Sequence, residues 1–408
     1  MKFYELTPAK RRALLRQRGI ELDEIDEQVL HDLDLLSENV IGQLRLPVGL
    51  VQNVLVNDQN YQVPLATEEP SVVAAANHVV KIVTEAGGFT ADSQRNGIWG
   101  QIVLQVDADF KIAQLQAFFP ELIKKAHNEY ASLVFHGGGV KTITAEQEKD
   151  LVFLKVLIDP AESMGANRVN SILEYMAKQL AAFSGIKQKL FAILSNYPSQ
   201  ITKIKAEIPV EVIGGIETAQ KIALLSRIGQ TDPMRAVTNN KGIMNGVEAV
   251  LLASGNDTRA VEAACSVWAA KSGSYTSLSK WYVQDEKLVG GLSLPLPIGV
   301  VGGSIKSRKD VKQTYRILGE KITSQELANI IATIGLANNL AALLAIATQG
   351  IQKGHMKLQA RNIVANLDAT SPEKKKVLQM LINNKLYSQT AAQNFLKEIR
   401  KENNASRN

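Results

Sequence analysis

A lysine lies among side-chain amides in the middle of the chain. Asn239, Asn240, Lys241 and Asn245 precede residues 247–253, an apolar run interrupted by a single glutamate. This composition indicates a largely buried helix, and a lysine just before a helix N-terminus is disfavoured by the helix dipole. A lysine withdrawn from water beside a carboxylate is a tunable acid, which would explain the position. We interpret Lys241 as a catalytic candidate, with an ordinary surface lysine as the alternative.

A second predicted helix follows shortly after this run. Gly255 occupies the position of a C-cap glycine, and Asp257 is a good N-cap residue for a helix over residues 258–271. The capping role alone would explain Asp257. A structural role and a catalytic role near Lys241 therefore both stay open for this carboxylate.

Further polar groups lie at other predicted helix starts. Pro70 occupies the first turn of a helix over residues 72–85, which places Glu69 and Ser71 at its N-terminus. Acidic residues are favoured there by the helix dipole, so a structural explanation stands beside the functional one. Gly165 begins another predicted helix, whose first backbone N–H groups could receive a phosphate.

The histidines and the single cysteine give little sign of a metal. No two of the five histidines have the spacing of metal ligands, and Cys265 has no partner. We therefore predict no structural metal, and we interpret Cys265 as a buried thiol within a helix. His355 differs from the other histidines because it lies between glycines and a predicted helix start.

The predicted elements indicate an α+β protein with more than one domain. Strand-like and helical segments alternate over residues 97–198, with residues 131–136 among the strand-like ones, which predicts a separate smaller α+β domain. This block contains neither the glycine pattern of a Rossmann fold nor a P-loop. The remainder contains strand-like residues 44–56 and a long Ala/Leu-rich helical stretch over residues 323–349.

Composition excludes several classes of protein. The chain has 408 residues, 45% hydrophobic and 21% charged, as expected for a soluble globular protein. No apolar run approaches the roughly 20 residues that span a bilayer, and the N-terminus lacks the apolar core of a signal peptide, so we predict a cytoplasmic protein without a membrane segment. The net charge of +6 belongs to the tail, since residues 353–408 carry 11 Lys/Arg against 4 Asp/Glu. Without a nucleic-acid-binding motif, this tail is interpreted as a solvated face or an attraction for an anionic ligand.

Five short motifs in a fixed order resemble the hydroxymethylglutaryl-CoA reductase family in its soluble bacterial, class II form. The resemblance covers nearly the whole chain. The motifs are Glu38-Asn39-Val40-Ile41-Gly42, Glu69-Pro70-Ser71, Met164-Gly165-Ala166-Asn167, Lys241-Gly242-Ile243-Met244-Asn245-Gly246 with Gly255-Asn256-Asp257 downstream, and Gly354-His355-Met356. Each motif is weak alone, whereas all five in order are specific.

The resemblance implies two successive hydride transfers from a nicotinamide cofactor, which convert the thioester to the alcohol mevalonate and release CoA. The implied catalytic residues are Glu69 as general acid, Lys241 at the developing oxyanion, Asp257 as its partner and His355 at the leaving thiolate. The implied substrate contacts are Ser71, Arg235, Asn245 and Asn339. The implied cofactor contacts are Glu162, Met164, Gly165, Asn167 and Asn196. Glu162 departs from the family, which usually carries an aspartate there.

The resemblance also implies an architecture and partners. Residues 1–96 and 199–349 would form a substrate and dimerisation domain, residues 97–198 an inserted cofactor domain, and residues 350–408 a mobile helical flap. The protein would be a homodimer with active sites at the subunit interface, and it would bind no nucleic acid. Lys124 and Lys125, taken to lie in a cation-rich loop, favour NADPH over NADH. The alternative is a CoA- or nucleotide-binding homologue that has lost catalysis.

Overall fold

The computed structural model describes residues 2–303, 305, 307–348, 360–361 and 363–405. His355 lies outside the described residues. The helices are α1 (Pro8–Gln17), α2 (Glu27–Asp34), α3 (Val72–Glu85), α4 (Ile112–Glu129), α5 (Ala131–Phe135), α6 (Ala166–Leu180), α7 (Ile216–Thr231), α8 (Pro233–Ala253), α9 (Thr258–Ala269), α10 (Lys309–Leu318), α11 (Ser324–Ala347), α12 (Ser371–Asn384) and α13 (Gln389–Ala405). The strands are β1 (Val48–Val56), β2 (Gln59–Ala66), β3 (Phe89–Ser93), β4 (Ile98–Val106), β5 (Gly139–Glu148), β6 (Leu151–Asp159), β7 (Ile186–Leu194), β8 (Ile201–Pro209), β9 (Ser279–Gln284) and β10 (Lys287–Pro295).

A mixed six-stranded sheet forms the larger part of the molecule. Its strand order is β2-β1-β3-β8-β10-β9, in which only the β1–β3 pair is parallel. Helices α3, α8 and α11 pack with this sheet around one large hydrophobic core. The apolar residues that predicted buried helices in the sequence therefore meet in a single core, which fixes the backbone of α8.

A second, antiparallel sheet forms from the middle of the chain. Its order is β5-β6-β4-β7, and α4 and α6 cover one face of it. Inward-facing residues alternate along β4 and β6, as expected for a sheet with one buried face, and they form a hydrophobic core of their own. The prediction of an α+β fold is confirmed by the two sheets with their flanking helices.

The chain leaves the large sheet after β3 and returns to it at β8. These two strands pair antiparallel, with Ala91 opposite Ile204. The small sheet is therefore inserted between two neighbouring strands of the large one. The boundaries proposed at residues 97 and 198 fall in these two connections, and the division into named domains stays a prediction.

Helix α11 corrects the expectation that no apolar segment is long enough to span a membrane. Within the part of the chain that is described, this one helix passes such a test by length and composition. Residues 327–340 of α11 are all buried in the large core, and 67% of its 18-residue apolar stretch is inside the molecule. Burial on all sides explains why the helix is apolar all round.

Some local predictions were wrong. Residues 131–136 were expected to form a strand, and Ala131–Phe135 forms a short helix instead. Lys241 was expected just before a helix, but α8 begins at Pro233, where Asp232 caps it, and Lys241 lies in its middle. The apolar run over residues 247–253 is only the second half of this helix, and tertiary contacts override the low helix propensity of the asparagines in its first half.

The last described residues form a C-terminal helical unit, α12 with α13. Their apolar faces form a small separate core together with Ala360, Val364 and Leu367. Thr370 and Glu373 make a capping box at the start of α12, and Arg400 binds the Glu373 carboxylate from α13 at 2.8 Å. The unit is therefore held together by its own contacts.

Candidate active site

Helix α8 brings Lys241 to Glu69. The Lys241 Nζ donates a hydrogen bond to Glu69 Oε2 at 2.5 Å, although the two residues are 172 positions apart. The lysine side chain is 61% exposed and the glutamate side chain 35% exposed. A carboxylate neighbour is therefore present, but it is Glu69 rather than Asp257, and the expected withdrawal from water is absent in the single chain.

The segment before α3 contains both Glu69 and Ser71. Glu69 N donates to Thr67 Oγ1 at 3.2 Å, which fixes the turn. Ser71 has a φ of +83°, in the left-handed region, and its hydroxyl makes no capping bond to α3. A non-glycine residue in this region stores strain, and such strain concentrates at functional sites. Asn245 lies one turn after Lys241 on the same face of α8.

A second layer of carboxylates lies behind the lysine. Burial raises the pKa of Glu248, the negative charges of Glu262 and Glu68 raise it further, and the positive charge of Lys241 opposes them. Burial also raises the pKa of Glu262. The positive charge of Lys241 therefore acts on Glu248 as well as on Glu69, and among the described residues Glu69 is the one that binds it directly.

Asp257 is not brought to Lys241. Its carboxylate accepts hydrogen bonds from Arg259 N at 3.0 Å and Ala260 N at 3.2 Å, as an N-cap of α9, and it pairs with the Arg259 side chain. Among the described residues, no ion pair or hydrogen bond joins Asp257 to Lys241. The capping role that the sequence suggested is confirmed, and the catalytic role stays a prediction.

The remaining predicted substrate contacts have different surroundings. Arg235 lies in the first turn of α8 and is partly exposed. Asn339 is 1% exposed, and its side chain donates to Asn239 and accepts from Trp281. Both polar atoms of Asn339 are therefore occupied by this chain.

The predicted cofactor contacts lie at the start of α6 and the end of β7. Gly165 is the N-cap of α6 with a φ of +90°, and a Cβ there would lie 2.3 Å from Pro160 Cβ, so only glycine fits. No side chain caps this end of the helix, which leaves its first N–H groups available. Leu194 N donates to Asn170 Oδ1 at 2.8 Å, which holds the end of β7, and with it Asn196, beside α6. Met164 is partly exposed and Asn167 is exposed at this helix start.

The 162–167 loop is attached to the large sheet unit through Glu162. Its carboxylate accepts from Ser324 N, at the first residue of α11, at 2.6 Å. Its carbonyl accepts from Val300 N at 2.9 Å. The predicted cofactor contact Glu162 therefore points to a helix N-terminus, a favourable place for a carboxylate.

Sequence reasoning missed Arg95, whose side chain joins the segment after β3 to the segment after β10. The Arg95 guanidinium donates to Leu296 O at 2.9 Å and to Ile298 O at 2.6 Å. Burial lowers the pKa of Arg95 to about 10, while the nearby charges of Glu162 and Asp159 oppose that shift. Arg95 stands outside every motif, and no pattern in the sequence marks a lone arginine whose partners are backbone carbonyls far along the chain.

Cys265 is buried, and burial raises the pKa of its thiol, which agrees with a structural cysteine. Within the described ranges, no group of three or more His, Cys, Asp or Glu side chains is placed to hold a metal ion. The absence of a metal stays a prediction.

Comparison with known proteins identifies the family. A model of the family "Hydroxymethylglutaryl-coenzyme A reductase" matches residues 7–360. The 3-hydroxy-3-methylglutaryl-coenzyme A reductase of Archaeoglobus fulgidus is 36% identical over 406 residues, which cover 98% of this chain and 91% of that protein. A probable 3-hydroxy-3-methylglutaryl-coenzyme A reductase of Borreliella burgdorferi is 38% identical over 90% of this chain and 87% of its own length.

Solved structures show the same likeness. The 3-hydroxy-3-methylglutaryl-coenzyme A reductase from Streptococcus pneumoniae matches with a TM-score of 0.74 and 37% identity, over 97% of this chain and 99% of that chain. The class II enzyme of the same organism, bound to NADPH in open conformations, matches with a TM-score of 0.74 and 39% identity over 85% of this chain and 99% of its own. The resemblance found in the sequence motifs is thereby confirmed, and the chain belongs to the hydroxymethylglutaryl-coenzyme A reductase family of NAD(P)H-dependent oxidoreductases.

Proposed function

We propose that the protein reduces hydroxymethylglutaryl-CoA to mevalonate, with two hydride transfers and release of CoA. Two reduced nicotinamides and two protons are consumed for each thiol released. The observation that supports the proposal is the Lys241–Glu69 hydrogen bond, because it joins a cation and a carboxyl group that belong to two of the family's motifs. An inactive homologue is not favoured, since the described catalytic motif residues are all present.

The charges of the pair suit the reacting carbonyl. The Lys241 ammonium stabilises the negative charge that develops on the carbonyl oxygen at each reduction, and its hydrogen bond to Glu69 gives a path for the proton. Arg235, two turns earlier on α8, supplies a planar cation for the free carboxylate of the substrate. Ser71 and Asn245 flank the pair and orient the acyl group. His355 protonates the leaving thiolate.

The start of α6 suits a nicotinamide dinucleotide. The group supplies the hydride when it is bound. Free N–H groups at the helix start and the close approach permitted by Gly165 would hold its negatively charged part, with Met164, Asn167 and Asn196 around it. We favour NADPH, as bound by the class II enzyme of Streptococcus pneumoniae. Lys124 and Lys125 lie in α4 rather than in a loop, and Lys125 pairs with Glu121 at 3.0 Å, so the preference does not rest on them.

The distance between the two parts of the site supports a homodimer. Glu162 binds Ser324, the first residue of α11. Asn339 lies 15 residues further along the same helix and binds Asn239, which is close to Lys241 on α8. Fifteen residues of helix span about 22 Å. Hydride transfer requires reacting atoms roughly 3–3.5 Å apart. A second copy of the chain would therefore bring its 162–167 loop to Lys241, and would also cover the exposed ammonium.

The remaining predictions follow from this function. Residues 97–198 act as the cofactor domain, and the flap of residues 350–408 closes over the substrate and carries His355. The protein acts in the cytoplasm.

A spectroscopic assay tests the proposal. Loss of reduced-nicotinamide absorbance is followed with NADPH or NADH, while released thiol is titrated in the same sample. We expect two cofactors oxidised for each thiol released, with NADPH used more efficiently. An Arg235→Lys variant tests the carboxylate contact, since it keeps the charge but cannot make the bidentate contact. Its KM for hydroxymethylglutaryl-CoA should rise. A folded protein that oxidises neither cofactor would contradict the proposal.

A further inference from the structure

The two residues before Lys241 are buried amides. Asn239 is 6% exposed and Asn240 is 2% exposed, whereas the side chain of Lys241 itself is 61% exposed. A buried amide must find hydrogen-bond partners or it destabilises the fold. The partners of these amides show what holds α8 in position.

Asn240 binds the backbone of the connection that precedes β9. Its Nδ2 donates to Thr276 O at 2.9 Å, and its Oδ1 accepts from Leu278 N at 2.9 Å. The side chain thus pairs with two backbone groups in the way a neighbouring strand would. Rotation of α8 about its axis would break both bonds.

Asn239 joins α8 to β9 and to α11. Its Nδ2 donates to Ser277 Oγ at 2.5 Å and to Ser279 Oγ at 3.2 Å. Its Oδ1 accepts from Asn339 Nδ2 at 2.9 Å, and Asn339 Oδ1 in turn accepts from Trp281 Nε1 at 2.8 Å. The amide atoms of Asn239 and Asn339 are all used, so the network is complete.

A close helix crossing holds the other side of Lys241. A Cβ on Gly246 would lie 2.6 Å from Asn338 Nδ2 and 2.8 Å from Ile334 O, both on α11. A Cβ on Gly335 would lie 2.8 Å from Val247 Cγ2 on α8. The two helices are therefore in backbone contact one turn after Lys241, with no room to slide.

We propose that Asn239, Asn240 and Asn339, here named the amide cluster, are positioning residues for Lys241. They fix the rotation of α8, since one residue of rotation would turn the lysine by about 100° away from Glu69. Asn339 acts through Asn239 rather than by contact with the substrate. The inference deepens the proposed function and rests on it for the role of Lys241, but the position of the lysine can be tested without activity.

The test compares Asn239→Ala and Asn240→Ala with Asn329→Ala. Asn329 is a matched control, because it is another buried amide, 7% exposed, whose Oδ1 accepts from Ser93 Oγ at 2.7 Å far from Lys241. Acetic anhydride labels the amine of Lys241 over a range of pH, mass spectrometry measures the labelled fraction, and thermal unfolding measures stability. Ser279→Ala is a milder variant that removes one acceptor of Asn239 and keeps the helix, should the alanine variants of α8 fail to fold.

We expect the pH dependence of Lys241 labelling to shift in Asn239→Ala, Asn240→Ala and Ser279→Ala, and to match the wild type in Asn329→Ala. The kcat should fall about tenfold or more in the first two, with the KM for NADPH unchanged. Labelling that is the same in all variants, or a kcat loss equal to that of Asn329→Ala, would overturn the inference. A wild-type protein without reductase activity would reject the proposed function instead, and the labelling comparison would still decide the inference.

Discussion

Lys241 and the 162–167 loop are held in position by different kinds of contact. The lysine lies on a buried helix whose orientation depends on side-chain amides, each with its partners. The 162–167 loop depends on backbone contacts, on glycines with no space beside them, and on one carboxylate at a helix start. The first arrangement is sensitive to the loss of a hydrogen bond, and the second to the addition of a single methyl group.

This difference separates two kinds of constraint on the proposed reaction. Catalysis at the lysine requires the direction of one ammonium group, which a helix fixed on two sides provides. Cofactor binding requires close approach of backbone to ligand, which glycine provides. Substitutions in the two regions should therefore affect different kinetic constants.

Among substitutions that leave Lys241 and the amide cluster intact, the largest effect is expected for Gly299→Ala, which adds a methyl group beneath the 162–167 loop. The new Cβ would lie 2.2 Å from Met164 N and 2.5 Å from the carbonyl carbon of Ser163, so backbone must move. We expect the KM for NADPH to rise about tenfold or more, while the KM for hydroxymethylglutaryl-CoA stays unchanged. Steady-state kinetics provide the measurement. Gly291→Ala is the control, because its Cβ would meet only Ile204 O at 3.6 Å. Equal kinetics for the two variants would mean that the close packing beside Gly299 does not position the 162–167 loop for the cofactor.

A smaller effect is expected for Glu162→Ala, which removes a carboxylate acceptor from the first residue of α11 and leaves the Thr323 cap in place. The loss of one such hydrogen bond costs about 1 kcal/mol of unfolding free energy, and the loop loses its side-chain attachment. The KM for NADPH should rise severalfold with little change in kcat. Chemical denaturation and kinetics are measured together with Glu162→Asp, which keeps the charge and is the residue common in the family. A loss of stability without any change in cofactor binding would show that Glu162 serves the helix alone.

The C-terminal helical unit gives a third reference, in which a charge pair contributes to stability. The hydrogen bond from Arg400, followed by those from Thr370, lowers the pKa of Glu373 from its ordinary 4.5 to about 2. Its contribution to stability is therefore present above pH 4.5 and is lost as the pH falls towards about 2. Scanning calorimetry should find Glu373→Gln less stable than the wild type near neutral pH, with the difference shrinking in acid. A difference that stays constant with pH would be the contrary result.

The smallest effect is expected for Glu248→Gln, behind the lysine. Burial and the charges of Glu262 and Glu68 raise the pKa of Glu248, so its favourable contribution is present at acidic pH and is lost as the pH rises through that pKa. At neutral pH the free energy of unfolding of the amide variant should exceed that of the wild type by less than about 1 kcal/mol. Below pH 4.5 the two proteins should be equally stable. Equal gains at both pH values would mean that packing rather than charge is responsible.

Much of the site could be predicted from the sequence, because its residues are carried by short motifs. Lys241 and Glu69, which are in contact, each belong to one of the motifs, and so does Gly165 at the start of α6. The α+β class and the buried position of Cys265 followed from hydrophobic periodicity. These features depend on local pattern, which sequence reasoning captures well.

The remainder depends on contacts between distant residues. The sequence predicts the helix only after Asn239 and Asn240, whereas hydrogen bonds to partners near residue 277 and on α11 hold both amides inside α8. The clamp from Glu162 to Ser324 joins residues 162 positions apart, and Arg95 binds carbonyls more than 200 positions away. No spacing rule relates such residues, so their association had to come from the fold.

The Lys241→Ala variant is the most direct test of whether the cation on α8 drives the reduction. The kcat for hydroxymethylglutaryl-CoA-dependent oxidation of NADPH is determined for the wild type and for Lys241→Ala, both shown to be folded. We predict a loss of about 100-fold or more in kcat for Lys241→Ala, the scale on which a group that stabilises developing charge contributes. A kcat within a few-fold of the wild type would contradict the account, since it would mean that the Lys241–Glu69 pair is an ordinary surface contact.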